Sequence, residues 1–218
     1  MRPASSRHLS TKRRPRDTPE KDLPCRVVLV RHASAEGQGS FLGQRDAPLS
    51  RMGRRQLPAL VATLRRHATA AVYCSDLARA MTTAAAVARQ CHVTPTVRPR
   101  LREMHFGRWE GLSWDEVLER FPRSAGRWLA TCPYPAVPGG EPFTHFKKRV
   151  TQELKWIVAT NPRHCVAIVT HAGVIRVAIG HALGLDDQNL FRIAQPPCAV
   201  NVIDYFPGGV IVQGINVK

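Results

Sequence analysis

Cys25-Arg26-Val27-Val28-Leu29-Val30-Arg31-His32 is a short apolar run that stops abruptly on two polar residues. It is too short for a buried helix, and its valines favour a strand. The run does not alternate with polar residues, so both of its faces should be covered, as in a parallel sheet with helices on either side. A second run of the same kind, Cys165-Val166-Ala167-Ile168-Val169, ends in Thr170-His171. A third, Ala70-Ala71-Val72-Tyr73-Cys74, feeds Ser75 and an alanine-rich helix through Ala88.

Helical patterns separate these strands. Ser50 can cap a helix with Leu57, Leu60, Val61 and Leu64 on one face; Pro58 inside it predicts a kink or a late start. Phe146, Val150, Leu154 and Ile157 lie at helical spacing, and Asn161-Pro162 closes that helix. Ala172-Gly173 leads into a helix over residues 174–183. A short strand is expected at 93–97, and 200–206 with 210–215 should form a hairpin around Pro207-Gly208-Gly209. The expected fold is α/β: a three-layer sandwich on a mostly parallel sheet with one antiparallel edge strand. Residues 111–141, broken by Pro122, Pro133, Pro135 and Pro138, read as an inserted helical lid rather than core.

The chain has 218 residues and 44% hydrophobic residues, enough for one sizeable domain, read as residues 25–218. No apolar run is long enough to cross a bilayer, so no membrane partner is expected. The formal charge of +16 points to an anionic partner. Nucleic acid is disfavoured, because no dense basic helix, zinc-finger spacing or aromatic RNA-binding strand is present. A small phosphorylated substrate fits better; a homo-oligomer stays open. The six cysteines are irregularly spaced, with no C-x-x-C, which suits a reducing, cytoplasmic setting. Residues 1–24 are rich in Arg, Ser and Pro. A transit peptide fits their charge, but Pro3, Pro15 and Pro19 break an amphipathic helix, so a disordered basic tail is the preferred reading.

Three strands thus end in, or feed, polar residues: Arg31-His32, Arg79 and His171. Ligands of open α/β sheets bind beyond the carboxyl ends of the strands, so these residues can converge. Two arginines, two histidines and a helix N-terminus suit a compact dianion. A neutral imidazole can attack a phosphoryl group, and the two arginines should hold His32 neutral. Glu103, ahead of the lid, is the proton-donor candidate. The other histidines read as surface or structural residues, with His105 left open by its closeness to Glu103. No H-x-H, H-E-x-x-H or C-x-x-C occurs, so neither a metal site nor a cofactor is called for.

Together these residues resemble the histidine phosphatase superfamily, in its phosphoglycerate-mutase-like branch. The likeness runs from about Cys25 to the C-terminus. It rests on Arg31-His32-Ala33, on the segment from Gly43 to Ser50, on Ser75-Asp76-Leu77-Ala78-Arg79-Ala80, on Glu103 with Phe106-Gly107 and Trp109-Glu110-Gly111, and on Thr170-His171-Ala172-Gly173. The resemblance implies that His32 forms a phosphohistidine. It implies further that Arg31, Arg79 and His171 hold the phosphoryl group and that Glu103 donates the proton. Gln38 falls where the family often places a phosphate-contacting asparagine. Gly43, Gln44, Arg45 and Ala172 fall in segments that meet the substrate. Ala33 departs from the usual glycine.

A mutase of this family would carry Arg directly after the acid; here Met104 stands there. Trp109-Glu110-Gly111, Pro138-Gly139-Gly140-Glu141 and the short lid look more like the phosphatase side. In this stretch the relatives acting on α-ribazole phosphate in cobalamin assembly are especially similar. Phosphomonoesterase is therefore the expected activity, with phosphoglycerate mutase and a phospho-ligand or nucleic-acid binding protein as alternatives. Specificity is expected in the lid, with Trp114, Arg120, Arg123, Arg127 and Trp128.

Overall fold

The computed structural model describes residues 23–131 and 134–217. The tail reading therefore falls, apart from Leu23 and Pro24, outside the described residues. Six strands form one sheet: β1 Cys25–Arg31, β2 Thr69–Cys74, β3 Thr96–Val97, β4 Cys165–Thr170, β5 Val200–Phe206 and β6 Gly209–Val217. Their order is β3-β2-β4-β1-β5-β6. The first four are parallel; β5 pairs antiparallel with β1, and the edge strand β6 pairs antiparallel with β5.

The uninterrupted apolar run of β1 has a direct cause. Val27 and Leu29 face a core shared with Val166, Ile168 and two helices, α5 Phe143–Thr160 and α6 Ala172–Leu183. Val28 and Val30 face the opposite core, built with Ala167, Val169 and the helices α1 Arg51–Leu64 and α2 Ala78–Cys91. Alternate side chains of a strand point to opposite faces, so a strand covered on both faces must be apolar at every position. The three-layer expectation holds.

Local departures have local reasons. The Ser50 hydroxyl accepts from the Gly53 amide, so α1 starts at Arg51 with no delay. The helix runs through Pro58, which has no amide for the carbonyl four residues back. The strand expected at 93–97 shrinks to Thr96–Val97, just after Pro95. In the segment read as a lid, α3 Trp114–Arg120 opens with a Ser113–Glu116 capping box, and α4 Pro122–Ala130 opens on a proline. Its inner side is core, contrary to the sequence reading. Val117, Ala125 and Trp128 are buried in the same cluster as α5 and α6, because Trp128 stacks on Trp109 and Phe106.

Candidate active site

The register of the two central strands builds the site. Arg31 of β1 lies opposite Thr170 of β4, so the next residues, His32 and His171, leave the sheet side by side. Their ring centroids are 5.1 Å apart, and the His32 amide donates to the Thr170 carbonyl at 2.9 Å. Both rings are buried.

His32 Nδ1 lies 2.7 Å from the carbonyl oxygen of Ala33. A carbonyl only accepts, so Nδ1 carries the hydrogen and Nε2 keeps a free lone pair. Burial is the main force that lowers the His32 pKa to about 3, and Arg79 and Arg31 add to it. The sequence reading credited the arginines alone; desolvation is the larger effect, because the ring lies under the sheet's end. His171 is pushed well below its ordinary value by burial first, then by His32, Arg79 and Arg31. Ala33 replaces glycine without strain: it is buried, and its amide donates to Thr83 Oγ1 at 3.2 Å.

The arginines are fixed on their outer atoms and open elsewhere. Arg79, buried on α2, donates from Nη1 to the Arg45 carbonyl and from Nη2 to the Gly43 carbonyl, both at 2.6 Å. Arg31 Nη1 donates to the Gln195 carbonyl. Among the described residues, the buried side-chain nitrogens without a partner include Arg31 Nε, Arg79 Nε and both ring nitrogens of His171. Buried polar groups are seldom left unpaired. Neutral His171 carries a single N–H, so its one donor nitrogen joins Arg31 Nε and Arg79 Nε as three donors, from the ends of β1 and β4 and from α2, that form a preorganised anion site.

Glu103 reaches the same place through its oxygens. Oε2 accepts from the Gly173 amide at 3.0 Å, two residues past His171, and Oε1 accepts from its neighbour Met104 at 2.9 Å. A Cβ on Gly173 would sit 2.2 Å from Glu103 Oε1, so a larger residue there would displace the carboxylate from this position.

A cleft of about 210 Å³ contains Arg31, His32, Arg79, Glu103 and His171 together. Gln38 and Gly43 line it as well; Gln44, Arg45 and Ala172 do not. Gln44 instead ties loops together, donating to the Glu103 carbonyl at 3.2 Å and, from its amide, to Glu110 Oε1 at 2.8 Å. The Arg45 side chain lies against Gly111. No described residue of 111–141 lines the cleft. The segment packs behind the cleft, through Tyr134 on Phe143 and Phe191, two phenylalanines that line it.

Arg176 also lines the cleft, and sequence reasoning missed it. Its signal was available: it is the one Lys or Arg of α6, whose other residues are apolar apart from His181. Among the described residues no group of three or more His, Cys, Asp or Glu side chains is placed to hold a metal ion, and no helix is long and apolar enough to cross a membrane.

The buried histidines make stability depend on pH. Folded, His32 stays neutral down to about pH 3; exposed, it titrates near its ordinary 6.5. Between these values the unfolded chain binds the extra proton, so acid favours unfolding. Stability should be full above about pH 6.5 and fall below it, by about 2 kcal/mol at pH 5 from His32 alone. His171 shifts in the same direction. Thermal unfolding at pH 7 and pH 5 measures this: Tm should drop, and His171→Asn should flatten the dependence. A Tm that holds or rises on acidification contradicts it.

Comparisons with known proteins agree with this geometry. Residues 27–218 match the family model of the histidine phosphatase superfamily (branch 1). A bifunctional protein of Mycobacterium tuberculosis is 31% identical over 88% of this chain and 53% of its own length. The chain thus spans about half the length of the first curated relatives it matches. A metal-independent phosphoserine phosphatase of Arabidopsis thaliana is 33% identical over 69% of this chain and 65% of its own. The crystal structure of the α-ribazole phosphatase from Shigella flexneri superposes with a TM-score of 0.80 at 25% identity, covering 88% of this chain and 96% of that one. With the matched region taking in both strand-end histidines, both arginines and Glu103, the chain belongs to the histidine phosphatase superfamily.

Proposed function

We propose that this protein is a phosphomonoesterase that works through a phosphohistidine. The observation that carries the reading is the buried His32, its Nε2 lone pair free, beside the unpartnered Nε of Arg31, Nε of Arg79 and the ring of His171. Nε2 attacks phosphorus in line with the ester oxygen. The N–P bond forms as the P–O bond breaks, and Glu103 protonates the departing alcohol. The guanidiniums and His171 hold the nonbridging oxygens as charge builds. Glu103, now a carboxylate, takes a proton from water, which displaces the phosphoryl group from His32 and releases phosphate. Gln38, at the cleft mouth, is a further phosphate contact.

Hydrolysis is favoured over a mutase by Met104. This residue directly follows the acid, lines the cleft and carries no charge for a substrate carboxylate. The relatives named above include a phosphoserine phosphatase and an α-ribazole phosphatase, and α-ribazole 5′-phosphate is the first natural ester to assay. A cytoplasmic site of action follows from the cysteine pattern. Purified protein in excess chelator should release inorganic phosphate from p-nitrophenyl phosphate and from at least one phosphorylated metabolite. Interconversion of the two monophosphoglycerates with no free phosphate would overturn the reading.

A further inference from the structure

Beyond the phosphate-binding floor, the cleft changes character. Five of the chain's seven phenylalanines line it: Phe41, Phe106, Phe143, Phe146 and Phe191. They come from four separate segments: the loop after β1, the loop that carries Glu103, helix α5, and the short helical stretch before β5. Their packing into a wall is not local in sequence, so the fold has gathered them. Part of the cluster is ordinary core, since Phe143 and Phe146 are almost wholly buried. Phe191 is different. It is 44% exposed, yet it is fixed in place, stacked 4.8 Å from Tyr134 and with the Arg176 guanidinium 5.0 Å over its ring. Arg176 is in turn held by donating from Nε to the Ile193 carbonyl at 2.9 Å. Holding a large apolar ring at an open edge leaves apolar surface in water unless something covers it.

We propose that the wall receives the leaving group, and that the preferred substrates are phosphomonoesters of alcohols bearing an aromatic ring or an apolar body of similar size. This rests on the phosphomonoesterase reading and narrows it. The floor and the wall belong to one continuous cleft, so a single molecule can place its phosphate among Arg31, Arg79 and His171 and its ring against Phe191 and Phe41. Aromatic walls that bind rings edge-to-face or offset also fix orientation, which brings the ester oxygen toward Glu103. A small, charged alcohol such as serine or glycerate gains nothing from that surface.

The test must separate ring binding from leaving-group acidity. 2-Phenylethyl phosphate and ethyl phosphate release alcohols of nearly equal acidity and differ only by the ring. The full chain should show a kcat/KM roughly thirty-fold higher for the phenylethyl ester, from burial of one ring. Phe191→Ala should cut that ratio by about five-fold, since it removes one face of the wall. Equal kcat/KM values for the two esters, with clear turnover of both, overturn the inference and leave the phosphomonoesterase standing. No phosphate release from either ester, nor from p-nitrophenyl phosphate, overturns the phosphomonoesterase reading and with it this one. Because the wild-type ratio alone decides the matter, poor folding of the variant would not obscure it.

Discussion

Replacing His32 by alanine is expected to lower phosphate release by on the order of 10⁴-fold or more, with the fold intact. No neighbour can take over the attack. His171, 5.1 Å away by ring centroid, is the nearest other imidazole. It is the first residue past β4, and in the proposed mechanism its single N–H is given to a nonbridging oxygen, so it is not placed to attack. The arginines stay protonated and have no lone pair to offer. The wild-type protein, mixed with substrate and quenched, should carry an acid-labile, base-stable phosphoryl group; His32→Ala should carry none. The loss should also be the same for good and poor leaving groups, because bond formation to phosphorus is abolished for all of them. Residual activity within ten-fold of wild type, or a phosphoenzyme in the variant, would remove His32 from its role.

Loss of Glu103 should leave a different signature. Glu103→Gln keeps the size and the Gly173 contact but cannot deliver a proton to the ester oxygen. An alkyl phosphate, whose alkoxide is a poor leaving group, should slow by on the order of 10²- to 10³-fold. p-Nitrophenyl phosphate, whose phenolate leaves unaided, should lose far less. The same pattern, weaker, is expected from Arg149→Ala. The Arg149 guanidinium makes five hydrogen bonds: one each to the carbonyls of Arg100, Arg102 and Glu103, and two to the Glu141 carboxylate. Glu141 in turn accepts from the His105 amide. The acid-bearing segment is therefore clamped on both sides of Glu103. Gly173→Ala should act alike, by pushing on Glu103 Oε1. Equal losses for alkyl and nitrophenyl esters in Glu103→Gln would show that Glu103 only shapes the cleft.

The two central strands were legible from sequence because burial on both faces leaves no polar position, and that pattern is local. His32 and His171 were legible for the same reason: each is the first strongly polar ring after such a run. Ser50 at the head of α1 was legible as a cap, since capping involves only neighbouring residues. The lid was misjudged because its prolines dominate the local pattern, whereas its burial depends on Trp128 meeting Trp109 and Phe106 from other segments. Arg45 and Gln44 lie in the segment that the family resemblance assigned to the substrate. Their orientation follows from Arg79 taking the carbonyls of Gly43 and Arg45, a contact between α2 and the loop before α1.

What the sequence alone determined is the layered α/β architecture, the pair of strand-end histidines, their arginines and the acid. Each follows from periodicity, a strand ending or a motif contained within a few residues. What only the tertiary structure decided is the chemistry's setting. The register of β1 against β4 puts the two imidazoles side by side, and the depth of burial, more than the nearby arginines, keeps His32 neutral. Distant phenylalanines become one wall, with Arg176 over its edge. These are properties of distances between segments remote in sequence, and a residue's local pattern carries no information about how far away its partners will be.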